Sequence, residues 1–97
     1  MPTIALVSFP LDEKKAEEYK AAIKSILPET AAFKGAQKIV MLVDKDQPAD
    51  VVVYEEWDSR EHHQKYLAWR KERGDLDKVF GMLRADPSIK YYEINEF

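Results

Sequence analysis

Cysteine is absent from the 97-residue chain, which excludes disulfides and thiolate metal sites at the outset. Glycine is scarce, at three residues, and no apolar stretch approaches the roughly 18 residues of a membrane-spanning helix. Nor is there a basic start followed by an apolar segment, the mark of a secretory leader. An excess of one charge is also missing. Eighteen acidic residues face fifteen basic ones, for a net charge of -3, and the two signs are interleaved. That pattern gives no electrostatic footprint for nucleic acid or an anionic membrane. The motifs GxGxxG, GxxxxGK[ST], HExxH and GxSxG do not occur, so dinucleotide, nucleotide, zinc-protease and nucleophile-elbow hydrolase chemistry has no support. The expectation is one cytoplasmic domain over residues 1–97, without membrane or nucleic-acid partners.

What is present is a regular alternation of strand and helix signals. Thr3 to Phe9 (TIALVSF) is β-branched and aromatic, and Pro10 ends it. Asp12 can cap a helix whose apolar positions Ala16, Tyr19, Ile23, Ile26 and Leu27 recur at three and four, with Pro28 expected to kink or end it and Gly35 to stop it. Residues 36–43 (AQKIVMLV) and 51–57 (VVVYEEW) read as a hairpin around the Asp- and Pro-containing turn DKDQPAD. Asp58 or Ser59 caps the next helix and Gly74 closes it. A short helix follows, capped by Asp75 and with the apolar stripe Leu76, Val79, Phe80 and Leu83. Pro87 then precedes a last strand, IKYYEI, at 89–94.

The order β-α-β-β-α-β predicts an α+β, ferredoxin-like protomer: an antiparallel four-stranded sheet with its helices on one face, the first and third strands pairing in parallel at the centre. The strands do not alternate cleanly. Val51 to Val53, Ile39 to Val43 and Ile4 to Val7 are apolar runs, so the face without helices is apolar as well. Six such side chains at about 1.5 kcal/mol each amount to about 9 kcal/mol, comparable to the stability of a small domain. A second copy of the sheet is the economical cover, which predicts a homodimer with sheets face to face.

The helix around EHHQKYLAWRKER is not a plain core helix. On a wheel at about 100° per residue, Arg60, Glu61, Gln64, Lys65, Ala68, Lys71 and Glu72 occupy the solvated arc. The inner arc holds His62, His63, Tyr66, Leu67, Trp69, Arg70 and Arg73, with His63 and Arg70 near its middle. Buried imidazole and guanidinium groups must meet partners, water or a ligand. A cavity between this helix and the sheet, with aromatic walls and few polar groups, would satisfy them and would suit a flat organic molecule. His62 and His63 are not a metal pair, because adjacent helical residues point about 100° apart. No metal is expected.

The strand order, Gly35 just before the second strand, the passage QPADVVVYEEWDSREHH with Glu55, Trp57 and Ser59, and the ending DPSIKYYEI together resemble the antibiotic biosynthesis monooxygenase family of dimeric α/β barrels. The resemblance implies a pocket between sheet and helices, a facing-sheet dimer, and oxidation of phenols or quinols by O2 without cofactor. On that basis His63, Tyr66 and Arg70 are the candidate catalytic groups, and Trp69, His62, Trp57 and Leu67 the candidate substrate contacts. The chain departs from the family pattern in one place: the histidine often found nine residues past the strand-end tryptophan is Tyr66 here. Haem cleavage is not expected, since the first strand offers Ala5, Val7 and Ser8 rather than asparagine, and no histidine follows His63.

Overall fold

The structure, a computed structural model, describes residues 2–97. Its elements are β1 (Thr3–Pro10), α1 (Ala16–Ala32), β2 (Ala36–Val43), β3 (Asp50–Trp57), α2 (Arg60–Glu72), α3 (Asp75–Phe80) and β4 (Ser88–Glu93). The sheet order is β2-β3-β1-β4. This is the ferredoxin-like α+β arrangement expected from the strand and helix signals.

One pairing differs from expectation: β1 and β3 run antiparallel, with Val7 opposite Val53 and Ala5 opposite Glu55. The connections require it. A crossover through α1 makes β1 and β2 parallel with a gap one strand wide between them. The hairpin then returns β3 into that gap antiparallel to β2, and hence to β1.

Local chemistry explains most boundaries. Asp12 Oδ1 accepts from the Lys14 backbone N–H at 2.9 Å and starts a 3-10 turn that leads into α1. Pro28 neither ends nor replaces the last turn of α1, which continues to Ala32. That turn is held from outside: Arg70 donates to Ile26 O at 2.9 Å and to Thr30 Oγ1 at 3.2 Å, and Thr30 is fully buried. Ser59, rather than Asp58, caps α2 by accepting from the His62 N–H at 3.2 Å, while Asp58 accepts from Gln37 Nε2 at 2.7 Å. Gly74, in the left-handed region at φ 79°, takes the cap of α3. Asp75 is thereby freed to pair with Arg70.

Successive β3 residues alternate sides, so Val51, Val53, Glu55 and Trp57 are buried under the helices. Their neighbours on that side are Ala5 and Val7 of β1, Ile39 and Met41 of β2, and Tyr91 of β4. Ile23 of α1 and Val79 of α3 complete one part of this core with Val53. Phe80, expected in the buried stripe, is half exposed, because α3 is only six residues long and Phe80 falls at the rim of the cavity described below. The far side of the sheet carries Ile4, Leu6, Val40, Leu42, Val52, Tyr54 and Tyr92. Among the described residues no helix is long and apolar enough to cross a membrane.

Candidate functional site

Three residues of α2 spaced at three and four, His63, Tyr66 and Arg70, point at the sheet and are buried. Together with β3, α1 and α3 they enclose a cavity of about 300 Å³. Its walls are mostly apolar, including Val7, Ile23, Leu27, Val53 and Leu67, and its polar lining is Glu55, His63, Tyr66, Arg70 and Asp75. Phe80 and Ile89, both substantially exposed, mark the rim between α3 and the edge strand β4. A largely apolar hollow with a few convergent polar groups is the usual form of a small-molecule site.

The two polar regions differ in how fully they are satisfied. Arg70 uses every N–H of its guanidinium: Nε donates to Tyr66 Oη at 2.8 Å, Nη1 to Asp75 Oδ2 at 2.9 Å and Glu29 Oε1 at 3.1 Å, and Nη2 to Ile26 O and Thr30 Oγ1. Burial works against its charge, but the hydrogen bonds to Tyr66 and Asp75 more than offset this and raise its pKa, so it is a cation at every accessible pH. Tyr66 Oη also lies 2.6 Å from Thr30 Oγ1. Burial pushes the Tyr66 phenol above its ordinary 10, against the pull of the Thr30 and Arg70 bonds. Arg70 and Tyr66 thus form a closed network that pins α2 to α1.

At the other end His63 Nδ1 lies 2.7 Å from Tyr91 Oη, and His63 Nε2 lies 3.4 Å from Glu55 Oε1. That Oε1 accepts from Trp57 Nε1 at 2.8 Å. Among the described residues, His63 Nε2 is the buried side-chain polar atom without a hydrogen-bond partner. Such atoms are uncommon in folded proteins and require an account. No cluster of three or more His, Cys, Asp or Glu capable of holding a metal ion occurs among the described residues.

The structure therefore gathers His63, Tyr66, Arg70 and Leu67 around one hollow. It places the other three candidate contacts elsewhere. Trp57 is fully buried behind the cavity. Trp69 packs against Phe33 at 5.3 Å between ring centres, with the Arg70 and Arg73 guanidinium groups stacked against it. His62 turns to Ser59, with Nδ1 2.7 Å from Oγ, over Gly35. Glu55 and Tyr91 were not among the expected site residues. For Glu55 a signal existed, since strand alternation puts it on the same side as Val51, Val53 and Trp57. Tyr91 carried none, because the pairing of the edge strand is a tertiary fact.

Residues 2–71 match the antibiotic biosynthesis monooxygenase family. The chain belongs to that family. Its fold recurs in solved structures of low identity. A conserved protein from Methanosarcina mazei Go1 superimposes with a TM-score of 0.84 at 18% identity, covering 98% of this chain and 95% of that one. A structure described as an antibiotic biosynthesis monooxygenase gives 0.85 at 13% identity, covering 97% and 99%. Rv0793 from Mycobacterium tuberculosis gives 0.80 at 15% identity, covering 100% and 98%. At these identities the likeness is one of fold. No curated protein matches the chain significantly.

Proposed function

We propose that this protein is a cytoplasmic, homodimeric monooxygenase that oxidises a small aromatic phenol or quinol with O2 in the cavity between sheet and helices, using no cofactor. The observation that carries the reading is the pairing of an apolar hollow of about 300 Å³ with one buried polar atom, His63 Nε2, left without a protein partner. A ligand hydroxyl would fill that vacancy. Ground-state O2 reacts slowly with closed-shell molecules, and removing a proton from a phenol makes it electron-rich enough to act as its own reductant. The protein must then supply a proton acceptor, donors for the oxygen anion, and exclusion of water.

In this reading His63 meets the substrate hydroxyl, and Tyr66 presents its ring to the cavity while Arg70, at the opposite end, holds that ring in place. Leu67 is a direct wall contact. Trp57 acts through the Glu55 carboxylate it bonds, Trp69 by packing against Tyr66 at 6.2 Å between ring centres, and His62 through the start of α2. The alternatives are a non-redox isomerase or decarboxylase of a small keto compound in the same cavity, and a non-catalytic dimeric ligand-binding module. The full engagement of Arg70, which leaves no free cation, weighs against those members of the first class whose substrate carries a carboxylate. The apolar far face of the sheet supports the dimer.

The test is oxygen uptake by the purified protein, with chelator present, across a panel of dihydroquinones and phenols. Uptake above the autoxidation rate, lost on replacing His63, is expected. No uptake with any member, alongside measurable binding of one, would leave a dimeric ligand-binding module as the reading.

A further inference from the structure

Glu55 and His63 meet at one end of the cavity, and the protein fills the hydrogen-bonding capacity of neither. The bond between His63 Nδ1 and Tyr91 Oη, at 2.7 Å, is equally good in either direction, because a hydroxyl donates or accepts. The other nitrogen is not indifferent. A lone pair on Nε2 would face the Glu55 carboxylate 3.4 Å away, whereas an N–H there is attracted to it. This geometry favours the proton on Nε2, with Nδ1 accepting from Tyr91. Its lone pair is occupied, so the histidine offers the cavity a donor rather than a base. Glu55 offers the complement: Oε1 accepts from Trp57 Nε1, and Oε2 accepts no hydrogen bond among the described residues.

We propose that Glu55 takes the substrate's proton and that His63 Nε2–H holds the oxygen left behind, with Tyr91 as a positioning residue that holds the ring through Nδ1. The proposal rests on the monooxygenase reading and narrows its substrate to a compact aromatic with a hydroxyl at one end of an otherwise apolar frame. An apolar cavity of about 150 Å³ takes one benzene ring. The hollow here, at about 300 Å³, has room for two fused rings. The hydroxyl donates to Glu55 and accepts from His63 Nε2–H. In the step, the substrate O–H bond breaks, the proton forms a new O–H on Glu55, and the electron pair stays on the substrate oxygen, which keeps its bond to His63. O2 meets the anion only afterwards.

Nitrogen-15 NMR of the wild-type protein tests the tautomer without any turnover. A protonated Nε2 and an unprotonated Nδ1 are expected for His63, and the opposite pattern overturns the proposal. Tyr91→Phe removes the bond to Nδ1 but leaves the Glu55 carboxylate that sets the tautomer, so the protonated-Nε2 pattern should persist in it, and its loss there overturns the assignment of the tautomer to Glu55. With 2-naphthol as the probe, wild type should bind and shift the His63 Nε2–H resonance; absence of binding also overturns the assignment. Glu55→Gln keeps an acceptor, so it should bind 2-naphthol within a few-fold of wild type while any oxygen uptake falls by at least about 100-fold. Undiminished uptake in a folded Glu55→Gln variant refutes the role of Glu55. If that variant does not fold, the wild-type tautomer and probe shift decide alone. Should wild type consume no O2, the monooxygenase reading falls, while the tautomer and naphthol results still judge the Glu55–His63 pair.

Discussion

Arg70 donates from Nε to Tyr66 Oη at 2.8 Å, one helical turn away, and so ties the wall of the cavity to a cation that has no spare donor. Replacing Arg70 by Met strands Asp75, Thr30 and the Ile26 carbonyl together. Breaking a buried ion pair from one side costs about 3–5 kcal/mol, and a loss of that size is expected in urea denaturation of Arg70→Met. Arg70→Lys should recover less than half of it, since an ammonium cannot reach five acceptors spread around a planar fork. A loss below about 1 kcal/mol would mean the partners relax into water.

Tyr66 makes stability fall at alkaline pH. Burial holds its phenol above the ordinary 10 in the folded protein. In the unfolded chain it ionises at its ordinary value, so above pH 10 the unfolded state binds fewer protons than the folded one. The contribution is fully present below pH 10 and is lost as pH rises through the folded value. Tyr54 and Tyr91 shift the same way, Tyr54 chiefly through its bond to Glu56 and Tyr91 chiefly through burial. Denaturation midpoints measured from neutral pH to beyond pH 10 should therefore decline, and Tyr66→Phe should make that decline shallower by up to one proton. An unchanged slope in the variant would show that Tyr66 ionises alike in both states.

Much of the fold was legible because the local signals agreed with one another. Strand residues 36–43 coincide with β2, and the inner arc of the second helix correctly buried His63, Tyr66 and Arg70. What local pattern could not supply was partnership. The stop signal of Pro28 was overridden by Arg70, which is 42 positions away in the chain, a distance over which periodicity says nothing. Trp69 and His62 lay on the inner arc without reaching the cavity, because a wheel gives direction and not depth, and Trp57, on the cavity side of β3, ends that strand beyond the cavity lining. Glu55 was visible on the strand but lacked meaning until His63 and Trp57 stood beside it.

Gly35 and His62 give a prediction in which two costs separate. Gly35 sits at φ 98°, and a Cβ there would lie 2.5 Å from His62 Cδ2. Gly74 sits at φ 79° with nothing within 4 Å of the same added atom. Gly74→Ala should therefore lose only the left-handed backbone cost, about 1–2 kcal/mol. Gly35→Ala should lose that plus the clash, and His62→Ala in the same molecule should restore the clash part alone. Thermal or urea denaturation of these three variants and of His62→Ala alone measures both. Equal losses at the two glycines would show that the His62 ring moves aside freely.

The far face of the sheet carries the last prediction. Val40 and Leu42 of β2 and Tyr92 of β4 are 39%, 49% and 45% exposed there, on the two edge strands, with Val52, Tyr54, Ile4 and Leu6 of the central strands between them on the same surface. Contiguous apolar area of this kind on a small domain marks an interaction surface. A facing copy would bury it with a single self-complementary patch. Leu42→Lys places a charge opposite its own symmetry-related neighbourhood, so the expected outcome is a shift from dimer to monomer in light scattering at micromolar concentration. The helix-side core should survive, because Leu42 takes no part in it, and far-ultraviolet circular dichroism should be unchanged. A wild-type protein that is monomeric under those conditions would remove the dimer and leave the exposed leucine and valine without a partner.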